Sequence, residues 1–177
     1  MLNKKQLSLL CISASLFAAS GSVFAASNTA ALNVSATVAS SCTISTLPVS
    51  FGTYNPTNPA DTTTSGSVTL TCVKNSDPIV SLDFGQNATA GTRAMKDTVG
   101  GVELLSYQLY QPSSVVPNTA CTFNETVAWG NAGAEQFDPP AATNIAPQTY
   151  NICGKIPAGQ DVAAGSYQDT VTAQVDF

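Results

Sequence analysis

The stretch A-A-L-N-V-S-A-T-V, residues 30–38, alternates apolar side chains with mostly polar ones. Successive side chains of a β-strand point to opposite faces, so this period of two predicts a strand with one apolar row. The row consists of Ala30, Leu32, Val34, Ala36 and Val38. On periodicity alone, the segment is interpreted as the first strand of the protein's own sheet.

The residues before this stretch have the organisation of a secretory signal peptide. Lys4 and Lys5 provide a positive start, an apolar run follows at residues 7–19, and V-F-A ends at Ala25 with a small residue suited to cleavage. The run is too short and too interrupted by serine to span a membrane as a helix. Three parts are therefore expected: a signal peptide (1–25), a segment that carries the alternating strand (26–40) and one domain (41–177).

The composition argues against catalysis and against nucleic-acid binding. The chain has no histidine, so it can form neither a Ser-His-Asp site nor a metal site with imidazole ligands. Its formal net charge is −5, and the few positive residues after the signal peptide are scattered rather than clustered. We expect no enzymatic activity, no cofactor and no nucleic-acid partner.

Four cysteines remain after cleavage: Cys42, Cys72, Cys121 and Cys153. An even set in an exported chain predicts two disulfides, and the wide spacing lacks the close cysteine pairs of a typical zinc site. Three pairings are possible, and the sequence alone does not choose among them. We favour Cys42 with Cys72 and Cys121 with Cys153, because each bridge then joins consecutive parts of the chain.

Short alternating stretches recur along the domain, with loops rich in Gly, Pro and Asn between them. Strands are predicted at residues 44–51 (with a break or an edge at Pro48), 67–73, 80–84, 105–109, 126–129, 148–156 and 167–177. Residues 52–66 and 85–101 are interpreted as connections, and residues 111–146 have no clear pattern. Short strands at this spacing predict an all-β sandwich of the immunoglobulin-like class.

The final stretch, Y-Q-D-T-V-T-A-Q-V-D-F at residues 167–177, has the clearest alternation in the domain. Its apolar row consists of Tyr167, Val171, Ala173, Val175 and Phe177. The pattern predicts a core strand that closes the chain. An alternative interpretation places four aromatic residues on a surface-binding face: Trp129, Tyr54, Tyr110 and Tyr150. Aromatic residues in a sandwich more often belong to the core or its rim.

Six motifs together resemble the spore coat protein U domain, and their order covers nearly the whole chain after the signal peptide. They are S-C-T-I (41–44), F-G-T-Y (51–54), G-S-V-T-L-T-C (66–72), L-S-Y-Q-L-Y (105–110), G-K-I-P-A-G-Q (154–160) and A-G-S-Y-Q-D-T-V (164–171). This family is shared by bacterial spore coat proteins and by subunits of archaic chaperone-usher pili.

The resemblance implies an incomplete immunoglobulin-like sandwich that lacks its last strand. The final strand, from Tyr167 to Phe177, would then line a hydrophobic groove, and the row from Ala30 to Val38 of a neighbouring subunit would fill it as a donor strand. The implied partners are identical or related pilin subunits, a periplasmic chaperone and an outer-membrane usher.

The implied function is that of a structural pilin, exported through the periplasm into a surface pilus with a role in attachment and biofilm formation. One domain after the signal peptide favours a shaft or adaptor subunit. A secreted spore coat protein and a surface-binding adhesin module are the alternatives.

Overall fold

This computed structural model describes residues 25–177, so all but the last residue of the predicted signal peptide lies outside the described residues. Residues 37–177 form a compact unit of their own. Its strands are β1 (Cys42–Leu47), β2 (Thr62–Cys72), β3 (Ile79–Leu82), β4 (Arg93–Asp97), β5 (Leu104–Tyr110), β6 (Gln148–Ile156), β7 (Tyr167–Gln168) and β8 (Ala173–Asp176). One 3-10 turn, Gly133–Glu135, is the only helix in the described residues. No helix found there is long and apolar enough to cross a membrane.

The strands form two sheets in which every pairing is antiparallel. Six strands are arranged in the order β1-β2-β6-β5-β4-β7, and β3 pairs with β8 in a second sheet. Inward side chains of both sheets share one core, which includes Val68, Leu70, Val80, Leu82, Leu105, Tyr107, Leu109, Ile152 and Ile156. The predicted all-β, immunoglobulin-like sandwich is therefore the fold of this chain.

Both disulfides are present in the favoured pairing. Cys42 and Cys72 lie opposite each other in the register of β1 and β2, and a bond joins them. Cys121, in the long connection before β6, is bonded to Cys153 within β6. The sequence separations are 30 and 32 residues. In the chain-entropy model, closing a loop of this length stabilises the folded state by about 3–4 kcal/mol per bridge.

Strand β4 lies inside residues 85–101, which the sequence predicted to be a connection, so that prediction was wrong. The cause is Arg93, a charged residue whose side chain is fully buried at 0% exposure. Its guanidinium donates hydrogen bonds to the backbone carbonyls of Leu82, Asp83 and Trp129 and to the side-chain oxygen of Gln108. Because a buried cation requires such partners, and they come from distant parts of the chain, no local pattern identifies this strand.

Two other strand boundaries differ from prediction. Strand β2 begins at Thr62, inside the predicted loop at residues 52–66, and pairs there with β6. The threonines of this stretch suit a paired strand because they are β-branched. The predicted strand at residues 44–51 ends at Leu47, where the pairing with β2 also ends. Pro48 follows, and it has no N–H to extend the ladder.

The predicted strand at residues 126–129 is absent, and this part of the chain contributes only an isolated bridge between Tyr110 and Ala128. The surrounding connection is held instead by single backbone hydrogen bonds, such as that from the Trp129 N–H to the Leu109 carbonyl. The short alternation there reflects the burial of Trp129 rather than a continuous ladder.

The final stretch is two strands that belong to different sheets. Strand β7 pairs with β4 in the large sheet, and β8 pairs with β3 in the small one, so residues 169–172 cross between the sheets. The inward residues of this stretch are only half-buried, and Phe177 is 54% exposed. The prediction of one continuous core strand was therefore wrong, because the chain changes sheets and its apolar row lies at a boundary of the core.

Residues 25–41 contain no strand. Within them, the side chains of Leu32 and Val34 are each 87% exposed. The interpretation of residues 30–38 as a strand of the protein's own sheet is therefore not supported. The apolar side chains of this stretch are instead open to solvent.

Candidate functional site: an open apolar groove

An open groove with a volume of about 1250 Å³ runs along the domain. One wall is formed by residues 46–54, which continue from β1, and the other by residues 162–171, which lead through β7 toward β8. Side chains from both sheets form its floor: Leu82, Leu105, Tyr107, Leu109, Ile152 and Ile156. The groove therefore exposes part of the hydrophobic core to solvent.

The strands that flank the groove are both sheet edges. Strand β1 is the outermost strand of the large sheet and pairs only with β2, whereas β8 pairs only with β3. On its outer side neither strand has a ladder partner in the described chain, although parts of β1 and β8 lie near each other. Such an edge can pair with an added strand, and an apolar floor beside it can bury that strand's side chains.

The predicted residues of the final strand are not all at the groove. Tyr167, Val171 and Ala173 line it, while Val175 packs against the core without lining it. Phe177 lies beyond the end of β8 and is largely exposed. The groove-facing part of this row therefore ends at Ala173.

The opposite wall was not recognised as part of a site from the sequence. Its side chains Val49, Phe51 and Tyr54 are partly buried against the core. The Phe51 ring packs edge-on against Tyr107 on the groove floor, with 6.1 Å between ring centroids. The Tyr54 hydroxyl donates to the Pro157 carbonyl at 3.1 Å, which anchors the far end of the wall. The alternation of Val49 and Phe51 was visible in the sequence, but their position opposite the final strand was not.

A hydrogen-bonded carboxylate holds the second wall where it crosses between sheets. One oxygen of Asp169 accepts a hydrogen bond from the Tyr107 hydroxyl at 2.7 Å, and the other accepts from the backbone N–H groups of Gln86 and Asn87. Burial and this carboxylate together raise the pKa of the Tyr107 phenol well above its usual value. The phenol therefore remains a neutral donor that links the groove floor to the wall.

A second carboxylate ties the end of β3 to the crossing segment. Asp83 accepts hydrogen bonds from the backbone N–H groups of Gly85 and Thr172, both at 2.9 Å. Partial burial raises the pKa of this carboxyl, but the hydrogen bonds from Thr172 and Gly85 outweigh burial and hold the pKa below its usual value. The ionised form is thus favoured in the folded state.

The lowered pKa of Asp83 predicts a contribution to stability that depends on pH. A carboxyl with a lower pKa in the folded state stabilises that state above its unfolded pKa, and the contribution disappears as the pH falls from about 5 through the folded pKa. We expect Asp83→Asn to lower the melting temperature at pH 7 and to weaken its dependence on pH in the acid range. Thermal unfolding from pH 7 to pH 2, with exposed Asp77→Asn as the control, measures both. Equal slopes for the protein and Asp83→Asn would contradict the assignment.

The four aromatic residues considered for a surface-binding face do not share one. Trp129 and Tyr150 are buried, and each packs against Phe137 at 5.0 Å between ring centroids. Tyr54 lies in the groove wall, and Tyr110 lies under the ammonium group of Lys155. These four residues therefore do not form the surface-binding face that was predicted as an alternative.

One group of potential metal ligands occurs in the described residues, formed by Cys121, Glu125 and Cys153, whose ligand atoms lie within 4.8 Å of one another. The two sulfur atoms are bonded to each other as a disulfide. They therefore cannot act as thiolate ligands, and this cluster does not fit a metal centre.

The comparisons with known proteins agree on one family. The family model described as the Spore Coat Protein U domain matches residues 28–174. Protein U of Myxococcus xanthus is 31% identical over 167 aligned residues, which cover 86% of each chain.

Among solved structures, the chain is similar to one in the crystal structure of the CsuC-CsuE chaperone-tip adhesion subunit pre-assembly complex from archaic chaperone-usher Csu pili of Acinetobacter baumannii. The identity is 32%, and the TM-score is 0.54. The match covers 80% of this chain but only 40% of the other, so the present chain corresponds to less than half of that protein.

Proposed function

The chain belongs to the Spore Coat Protein U domain family, and we propose that it is a structural pilin of an archaic chaperone-usher pilus. In this proposal, subunits polymerise when residues 30–38 of one copy enter the open groove of the next. The observation that carries the proposal is a groove that exposes the core between two unpaired sheet edges. Soluble proteins usually cover such edges, because an open edge over apolar surface promotes association.

The alternating segment has the size and chemistry that this groove requires. A strand of nine residues spans about 30 Å, and its apolar row offers five side chains to a groove with a volume of about 1250 Å³. The side chains of Leu32, Val34 and Val38 are exposed, and they would share one face if the segment were extended. Burial of each contributes about 1.5–3 kcal/mol before the cost of ordering the segment. Backbone hydrogen bonds to one or both edges add to this.

The remaining parts of the proposal concern assembly and location. A subunit with an exposed core needs protection before it polymerises, so a periplasmic chaperone is the expected partner before assembly and an outer-membrane usher the expected site of assembly. The chaperone-subunit complex among the similar structures supports the first of these. The completed pilus would lie at the cell surface, with a role in attachment and biofilm formation.

Peptide capture tests the proposed function directly. We expect a labelled synthetic peptide of residues 26–40 to bind the purified chain and to protect the backbone amides of both groove walls from hydrogen exchange. The acceptor should carry Leu32→Asp and Val34→Asp in its own segment so that it cannot polymerise. A peptide with the same two substitutions is the matched control. Equal binding of the two peptides, or protection outside the groove, would contradict the proposal.

A further inference from the structure

Two glycines occupy neighbouring positions on the inner face of the large sheet. Gly66 lies in β2 opposite Ile152, and Gly154 lies two residues further along β6. Both are buried. A glycine inside a strand is destabilising by roughly 0.5–1 kcal/mol relative to alanine, and it often marks a place where another part of the chain approaches closely.

The space beside both glycines is filled by the groove wall. A Cβ atom at Gly66 would lie 2.7 Å from the Leu47 carbonyl oxygen and 2.7 Å from Cγ2 of Val49. A Cβ atom at Gly154 would lie 2.7 Å from Cγ1 of Val49 and 2.9 Å from Cζ of Phe51. The two methyl groups of Val49 therefore each occupy the position of a missing side chain.

We propose that Gly66 and Gly154 form a seat for Val49 that positions the groove wall for donor-strand binding. This inference rests on the proposed function and identifies the residues that shape its acceptor site. The pairing of β1 with β2 ends at Leu47, and beyond Pro48 the wall has no ladder to hold its backbone in register with β2. The contact of Val49 with the two glycines fixes the position of this backbone instead. The position of the groove wall beside an incoming donor strand therefore depends on Gly66 and Gly154, although neither glycine lines the groove.

The two glycines differ in a way that makes the seat testable. The close contacts at Gly154 involve only side chains, and Val49→Ala removes the closer one. Those at Gly66 include the backbone oxygen of Leu47, which no side-chain substitution removes. Once Val49 is shortened, the close contact left at residue 154 is with Cζ of Phe51, the far end of a side chain that can shift. A methyl group added at residue 154 should therefore be tolerated in the double variant, whereas one added at residue 66 should not.

The experiment measures capture of the labelled peptide of residues 26–40 by the acceptor chain described above. We expect Gly154→Ala to weaken binding at least about tenfold, and addition of Val49→Ala to restore it to within about threefold of Val49→Ala alone. Gly66→Ala should weaken binding similarly, without recovery in the double variant. Gly100→Ala is the control, because Gly100 is exposed outside the groove and its added Cβ would approach only the carboxylate of Asp97.

Hydrogen exchange of the acceptor without peptide supplies a measurement that does not depend on the donor strand. Gly154→Ala should accelerate exchange of the paired amides of β1 and β2 around Leu47 and Ser67, where the ladder meets the wall, and the double variant with Val49→Ala should reverse this. If the accelerated exchange is found but the parent acceptor captures no peptide, the seat is supported as a fold feature and the proposed function fails. Unchanged exchange and capture in Gly154→Ala would overturn the seat, as would a loss that Val49→Ala does not relieve. If Gly154→Ala does not fold, recovery of folding in the double variant supports the seat, and its failure refutes it.

Discussion

A chain that carries a second copy of residues 26–40 after Phe177, joined by a short flexible linker, is expected to fold as a stable monomer that does not polymerise. Strand β8 ends at Asp176, next to the attachment point, so the copy can turn back and run antiparallel to β8 in the chain's own groove. Tethering gives the copy an effective concentration in the millimolar range. For a strand that binds with micromolar affinity, this stabilises the fold by about 4 kcal/mol.

The stabilisation should appear as a rise in melting temperature of about 10 °C for a domain of this size. Light scattering coupled to size-exclusion chromatography measures the mass, and calorimetry measures the melting temperature. The control carries the same extension with aspartate at the two positions of the copy that correspond to Leu32 and Val34. If the parent chain is already a stable monomer and the extension changes nothing, the sandwich is self-contained. That outcome would favour a stand-alone spore coat protein.

Leu32→Asp or Val34→Asp in the N-terminal segment is expected to abolish polymerisation while leaving the subunit's own fold unchanged. Both side chains are almost fully exposed in the structure, so the substitution does not disturb the isolated subunit. On insertion, however, the carboxylate would enter an apolar groove without a partner. The cost of several kcal/mol corresponds to a loss of at least about a hundredfold in affinity.

The matched control is Asn33→Asp, which adds the same charge to the polar row of the segment. Its side chain would face away from the groove, so polymerisation should be nearly unchanged. Electrophoresis of undenatured polymers and electron microscopy give the readout. A further test places Leu32→Asp or Val34→Asp in the N-terminal segment of the chain that carries an unmodified copy of residues 26–40 after Phe177. If these substitutions destabilise that chain, the segment belongs to the protein's own sheet and the donor-strand proposal is wrong.

Local alternation was sufficient to predict most strands of the core. In β2 and β5 the apolar row lies on the buried face that its period of two indicated. The row consists of Val68 and Leu70 in β2 and of Leu105, Tyr107 and Leu109 in β5. The reason is geometric, because the pleat of a strand sends every second side chain to the same face whatever its neighbours are. The favoured cysteine pairing also agrees with the structure, although three pairings were open from the sequence.

The parts that local patterns could not predict depend on contacts between distant residues. Arg93 is buried in β4 only because carbonyl groups from β3 and from the connection near Trp129 accept its hydrogen bonds. The final stretch keeps its alternation through residues 167–177, but its change of sheet is set by separate pairings with β4 and β3. A periodic sequence specifies which side of a strand is apolar and does not specify which strand lies beside it.

The sequence by itself therefore determined that this protein has an apolar row at residues 30–38, an all-β core and cysteines suited to two bridges. Only the tertiary structure decided that a groove remains open between the walls at residues 46–54 and 162–171, and that Val49 is seated against Gly66 and Gly154 in one of them. The physical reason is that alternation is a property of one strand, whereas an open edge is a property of two sheets. An edge is defined by the absence of a neighbouring strand, and that depends on how the whole described domain is packed.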